Sequence, residues 1–145
     1  MLLNGACHCG QVRISFESGL PLDEIELRAC QCSFCRSRGA KTVTDPNGSL
    51  TISAPLGELM CYRFGLKITD YLLCRMCGTY IAAVMNDGTR EIATLNAAGT
   101  MLEGLWEREA KPVHLEGETV EARRERRRRG WTPVKIVTAA ARRHG

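Results

Sequence analysis

Hydrophobic and polar positions alternate with a short period along most of this chain. In residues 11–17, Val12, Ile14 and Phe16 alternate with Arg13 and Ser15. A period of two puts successive side chains on opposite faces, so this stretch predicts a half-buried β-strand. Residues 25–29 repeat the pattern more weakly, and residues 41–44, 50–53, 59–64 and 68–73 read as further short strands. Residues 80–85 are apolar throughout, Asn86-Asp87-Gly88 is a hairpin turn, and residues 90–96 return as a strand. Asp45-Pro46-Asn47-Gly48 is a turn, and Ala54-Pro55-Leu56-Gly57 breaks the pattern between two strands. Residues 36–40 are short and polar, which suits a loop or a single helical turn. Beyond Ala97, Gly99, Gly104 and Pro112 predict irregular chain. Residues 119–129 predict an exposed helix with no apolar stripe to bury.

The expected architecture is mainly β: many short antiparallel strands and a short C-terminal helix. With 145 residues and 44% hydrophobic content, a single core is sufficient. Residues 1–116 are expected to form the domain proper, with 117–145 a basic extension of it. The net charge of +4 is uneven: residues 117–145 hold nine basic and three acidic residues, against eleven and thirteen before them. The first residues, Met1 to Gly5, have no basic start and no apolar run, so no secretory signal is expected. No apolar run approaches the roughly 20 residues that span a bilayer, so no membrane partner is expected.

Cysteine changes the picture. Of eight cysteines, seven fall in three clusters: Cys7 and Cys9, then Cys30, Cys32 and Cys35, then Cys74 and Cys77. Cysteines one or two residues apart rarely reach disulfide geometry, whereas such spacing suits thiolate ligands of tetrahedral zinc. Disulfides between clusters and an iron–sulfur centre are the alternatives. Free thiols at this density point to a reducing cytoplasm. Gly78 follows Cys77 as Gly10 follows Cys9, which fits two similar turns facing each other across one metal. Seven thiols make one group of four and one of three. Four protein ligands close a structural zinc site; three leave a position open, the usual catalytic arrangement. A fourth ligand from a His, an Asp or Cys61 is the alternative. His8 lies between two ligands and is expected to point away from the metal, His114 to lie at the surface, and Cys61 to be a core thiol. Trp106 and Trp131 read as packing residues.

These clusters, with their surroundings, resemble a known family. Gly5-x-Cys7-His8-Cys9-Gly10-x-Val12, then Cys30-x-Cys32-Ser33-x-Cys35-Arg36 with Gly39-Ala40, then Cys74-x-x-Cys77-Gly78-Thr79, are similar to the glutathione-dependent formaldehyde-activating enzyme family, which includes centromere protein V. The resemblance covers roughly residues 4–85 as three motifs in order. It departs from the family at Gln31, where many members carry His, and at Leu73, where an aromatic residue is common. It implies a β-tent fold. It also implies two zinc ions per chain: a structural one on Cys7, Cys9, Cys74 and Cys77, and a catalytic one with an open position on Cys30, Cys32 and Cys35. The implied activity is that of a carbon–sulfur lyase, adding the thiol of glutathione to formaldehyde and reversing that step. Three thiolates against one Zn²⁺ weaken it as a Lewis acid, which favours capture of the incoming thiol as thiolate.

Glutathione carries two carboxylates, so cations near the site are expected; Arg36, Arg38 and Lys41 follow Cys35 closely. The run 123–129 has six arginines interrupted by Glu125. It reads as a nucleic-acid patch or as a solvated basic helix, and the lack of interleaved aromatics favours the second. The rival function is a zinc-stabilised binding module, or a glutathione carrier, without catalysis. Methionine sulfoxide reductase, of related fold, needs a late redox cysteine, and none follows Cys77.

Overall fold

The computed structural model describes residues 1–140. Two sheets share one strand. The first begins with a hairpin of β1 (Leu2–Ala6) and β2 (Arg13–Glu17), whose connection carries Cys7 and Cys9. β2 then pairs with β5 (Ser49–Ala54), setting Ile14 opposite Ile52 and Phe16 opposite Leu50. All four of these side chains are buried, which accounts for the alternation.

The second sheet is an antiparallel meander of β6 (Leu59–Tyr62), β7 (Asp70–Cys74), β8 (Tyr80–Asn86) and β9 (Glu91–Asn96). β8 is buried from Tyr80 to Met85, because it lies between β7 and β9 with both faces covered; hence its unbroken apolar run. Beyond β9 the sheet continues through β4 (Thr42–Val43) and β3 (Arg28–Cys30) to β10 (Lys111–Val113).

β11 (Thr132–Thr138) joins the two sheets. Thr132 and Pro133 pair with β9, and from Val134 onward the strand runs parallel to β5. The change of partner falls at Pro133, which has no N–H to offer a ladder. Before β11 comes helix α2 (Val120–Gly130), whose first turn is capped by the Thr119 hydroxyl accepting from Ala122 N at 3.1 Å. A second, short helix, α1 (Ser33–Ser37), holds the third cysteine of the central cluster. Residues 132–138 thus form part of the sheet, with α2 leading into them.

Several expectations are corrected. β1, β10 and β11 lie in stretches whose pattern predicts no strand. Cys61 is exposed, not a core thiol. β6 is an edge strand paired only with β7; Leu59 packs against the main core, and Met60, Cys61 and Tyr62 are exposed. Trp106 is 41% exposed, whereas Trp131 is buried. α2 is not wholly solvated, because Arg127 is buried. No described helix is long and apolar enough to cross a membrane.

The core has two parts. The larger lies between the sheets around Val12, Ile14, Phe16, Ile52, Leu95 and Leu102, and includes Cys7 and Cys74. The smaller gathers Phe34, Cys35, Tyr80, Met85, Ile92 and Trp131, with Cys30 and Cys32 packed against it. Each large apolar side chain buried here contributes on the order of 1.5–3 kcal/mol.

Candidate functional site

The seven clustered thiols gather in two groups, Cys7, Cys9, Cys74 and Cys77 in one and Cys30, Cys32 and Cys35 in the other, with the sulfurs of each group within 4.8 Å of one another. All eight cysteines are free. Cys61, His8 and His114 belong to neither group.

The four-thiol group is built by two turns. Gly10 N donates to Cys7 O and Gly78 N to Cys74 O, both at 2.9 Å. Gly10 and Gly78 have φ of 81° and 76°, a left-handed conformation that glycine adopts without a Cβ clash. The sulfurs of Cys7 and Cys9 are 3.6 Å apart, as are those of Cys9 and Cys74. Sulfurs bound at about 2.3 Å around a tetrahedral zinc are roughly 3.8 Å apart, so the donor set fits that ion. Val12 N donates to Cys7 Sγ at 3.4 Å. Burial pushes the Cys74 thiol up to about 12. Against burial, the Thr79 hydroxyl and the Cys9 and Thr79 amides hold Cys77 down at about 6.

In the three-thiol group, Cys30 ends β3, Cys32 caps α1 and Cys35 lies within it. Cys35 N donates to Cys32 Sγ at 3.4 Å. The Cys35 thiol, donating to Cys30, holds Cys30 down at about 5 despite burial, helped by the Cys32 amide and thiol and the charge of Arg126. The same contact raises Cys35. Phe34, between these ligands, fixes the short helix: its ring lies 4.8 Å from Tyr71, 5.0 Å from Tyr80 and 5.2 Å from Phe64.

Cys30, Cys32 and Cys35 form one wall of a cavity of about 70 Å³, facing Tyr71, Arg126 and Arg127. A second chamber of about 100 Å³ shares Cys30, Cys32, Tyr71, Arg126 and Arg127 and extends to Arg123, Phe64 and Glu116. Arg123, Arg126 and Arg127 are spaced i, i+3, i+4 on α2 and so share a face. Glu118 accepts from Arg126 Nε and Nη2 at 2.8 and 2.9 Å, and from Arg123 Nε at 3.3 Å. Arg127 is 5% exposed. Its guanidinium lies 4.3 Å from the Trp131 ring centre, and Nη1 donates to Thr69 Oγ1 and, at 3.8 Å, to Met85 Sδ. Burial lowers Arg127 to about 10. Burial also raises Tyr71 and Tyr80, which stay neutral phenols.

Of the cations expected after Cys35, Arg36 and Lys41 line a more open hollow of about 410 Å³ with Gln31, Cys30 and Cys35. Lys41 Nζ donates to Arg108 O at 2.7 Å. Arg38 lies 3.9 Å over the Phe34 ring and donates to Phe34 O at 3.1 Å. None of the three lines the arginine-walled cavity. Sequence reasoning missed Arg126 and Arg127 as cleft residues, although their helical spacing next to Trp131 was a usable signal.

The match to glutathione-dependent formaldehyde-activating enzyme spans residues 2–116, so α2 and β11 lie outside it. The crystal structure of a Rhodobacter sphaeroides protein is similar, with a TM-score of 0.60 and 33% identity over 76% of this chain and 99% of that one. A comparison with curated proteins gave no match. The order of the three cysteine motifs, the two thiol groups they form and the extent of the match lead to one assignment: the chain belongs to the glutathione-dependent formaldehyde-activating enzyme family.

Proposed function

We propose that this protein is a zinc-dependent carbon–sulfur lyase that reversibly joins a small thiol, glutathione first, to a small aldehyde such as formaldehyde. In this reading Cys7, Cys9, Cys74 and Cys77 would hold a structural zinc, and Cys30, Cys32 and Cys35 a second one at which the reaction occurs. The observation that carries the reading is the position of the three thiols in a cavity wall. Three protein ligands are one fewer than tetrahedral zinc takes. A bound zinc there supplies positive charge that keeps an incoming thiol deprotonated at neutral pH.

The chain's own residues do the rest. Tyr71 and Tyr80 wall the cavity and exclude bulk water, and Arg126 places positive charge beside Cys30. Arg36 and Lys41 face a longer thiol such as glutathione from the hollow they share with Cys30 and Cys35. Arg38 supports Phe34 and, through it, α1. In the addition, a sulfur–carbon bond forms, the carbonyl π bond opens, and the thiol proton ends on the former carbonyl oxygen. The reverse step restores thiol and aldehyde.

The test is exchange NMR between glutathione, formaldehyde and their adduct, with Cys32→Ala as the control. Wild-type protein is expected to raise the exchange rate at least tenfold over the uncatalysed reaction, which corresponds to about 1.4 kcal/mol of barrier. A rate that wild type and Cys32→Ala leave equally unchanged removes the formaldehyde activity, and thiol binding without acceleration then supports the carrier reading.

A further inference from the structure

The cavity beside the three thiols has a charge pattern that formaldehyde does not explain. Arg28, Arg126 and Arg127 line its inner chamber, and no carboxylate does. Arg127 is the unusual member. It is 5% exposed, its Nε is buried with no hydrogen-bond partner, and among the described residues it makes no ion pair. A buried guanidinium without a compensating anion is costly, and an unmade buried hydrogen bond adds to that cost. Two features therefore call for negative charge at this place: Arg127 is buried without an ion pair, and Arg28 and Arg126 join it in a lining where the only anionic groups are the three thiols, which around one Zn²⁺ would not balance three arginines.

Arg126 is set up differently. Glu118 engages its Nε and Nη2, leaving Nη1 without a hydrogen-bond partner among the described residues. Glu118 thereby acts as a positioning residue, because one carboxylate orients both Arg123 and Arg126 towards the cleft.

Size narrows the occupant. A chamber of about 70 Å³ lies far below the roughly 300 Å³ at which pockets for drug-sized ligands begin, which suits a carboxylate group rather than a whole tripeptide. Arginine forks match carboxylate oxygens in geometry as well as charge. We propose that the inner chamber is a carboxylate subsite. The reactant presented to Cys30, Cys32 and Cys35 then carries a carboxylate within a few atoms of its reacting carbon or sulfur. This rests on the carbon–sulfur reading of the same site and narrows its substrate class to an oxo acid or an acidic thiol. The helix that supplies Arg126 and Arg127 lies beyond the residues that match the family, whereas Arg28 and the three thiols lie within them.

The test uses the full-length, metal-containing protein and three probes: acetate, mercaptoacetate and the neutral thiol 2-mercaptoethanol. Affinities are measured calorimetrically at about 1 M salt, where the Debye length is about 3 Å and general attraction to a basic protein is screened. Arginine Nε–H resonances are followed during the acetate titration. Acetate is expected to shift the Arg127 Nε–H signal. Mercaptoacetate is expected to bind ten- to a hundredfold more tightly than 2-mercaptoethanol, the range of one charge-assisted hydrogen bond or more. Arg126→Gln, at a half-exposed position, should reduce that ratio at least fivefold.

A ratio near one in the wild type, with Arg127 unmoved by acetate, overturns the subsite and leaves the thiol reading intact. A ratio that Arg126→Gln does not change also overturns it. An Arg127 shift on acetate without binding of either thiol supports the subsite and removes the carbon–sulfur reading. Two further arms identify the source of the carboxylate. Faster adduct exchange with glyoxylate and 2-mercaptoethanol assigns it to the aldehyde, and faster exchange with formaldehyde and mercaptoacetate assigns it to the thiol.

Discussion

The two thiol groups share their ligand chemistry and differ in nearly everything around it. Cys7 and Cys74 sit in the main core between the two sheets, at 1% and 0% exposure, and their group joins the end of β1 to the end of β7. Cys30, Cys32 and Cys35 sit at the rim of the smaller aromatic core, against a cavity walled by arginines. The first group ties distant segments of the fold together. The second uses a short helix, pinned by Phe34, to present sulfur to a cleft. Identical donors thus take different tasks according to what they are buried against.

The comparison breaks most easily at the metals. Cys74→Ala should abolish folding, because thiolate zinc sites contribute on the order of 10–16 kcal/mol, as much as the whole stability of a typical domain. Cys32→Ala should keep a native circular dichroism spectrum while bound zinc falls from two ions per chain to one. The opposite order of damage reverses the two roles. Next in size is Trp131→Ala, which removes a buried ring from the smaller core and from beneath Arg127. A loss of about 3–5 kcal/mol is expected in urea unfolding, and a loss below about 1 kcal/mol would show that this core does not support the cleft. Smallest is Cys61→Ser. On an exposed edge strand it should change stability by less than about 0.5 kcal/mol and leave metal content unchanged. Loss of a metal would make Cys61 the missing ligand.

Much of this was legible in the sequence, for physical reasons. Strands such as β2 and β5 alternate because one face of each is buried and the other is not. The thiols declare themselves because close spacing within each motif, rare for disulfide partners, marks candidate metal ligands. What could not be read depended on tertiary context. β11 shows no clean alternation because it changes sheets part-way. Cys61 follows an alternating pattern on a strand that has only one neighbour. An arginine run normally reads as solvated, and only the cavity and Trp131 reveal that one of its members is buried.

The place of β11 also has a consequence for how the chain is made. β5 and β9 acquire this shared partner only when residues 132–138 have been made. At about 5–20 residues per second, Cys35 leaves the peptidyl-transferase centre roughly 5–20 seconds before Arg127 does. During that interval a nascent chain holds three unshielded thiols and no α2 to cover them. Metal loading before the ribosome finishes would therefore protect those sulfurs from oxidation, and premature termination between residues 96 and 131 would release a chain with both thiol groups present and its two sheets unjoined.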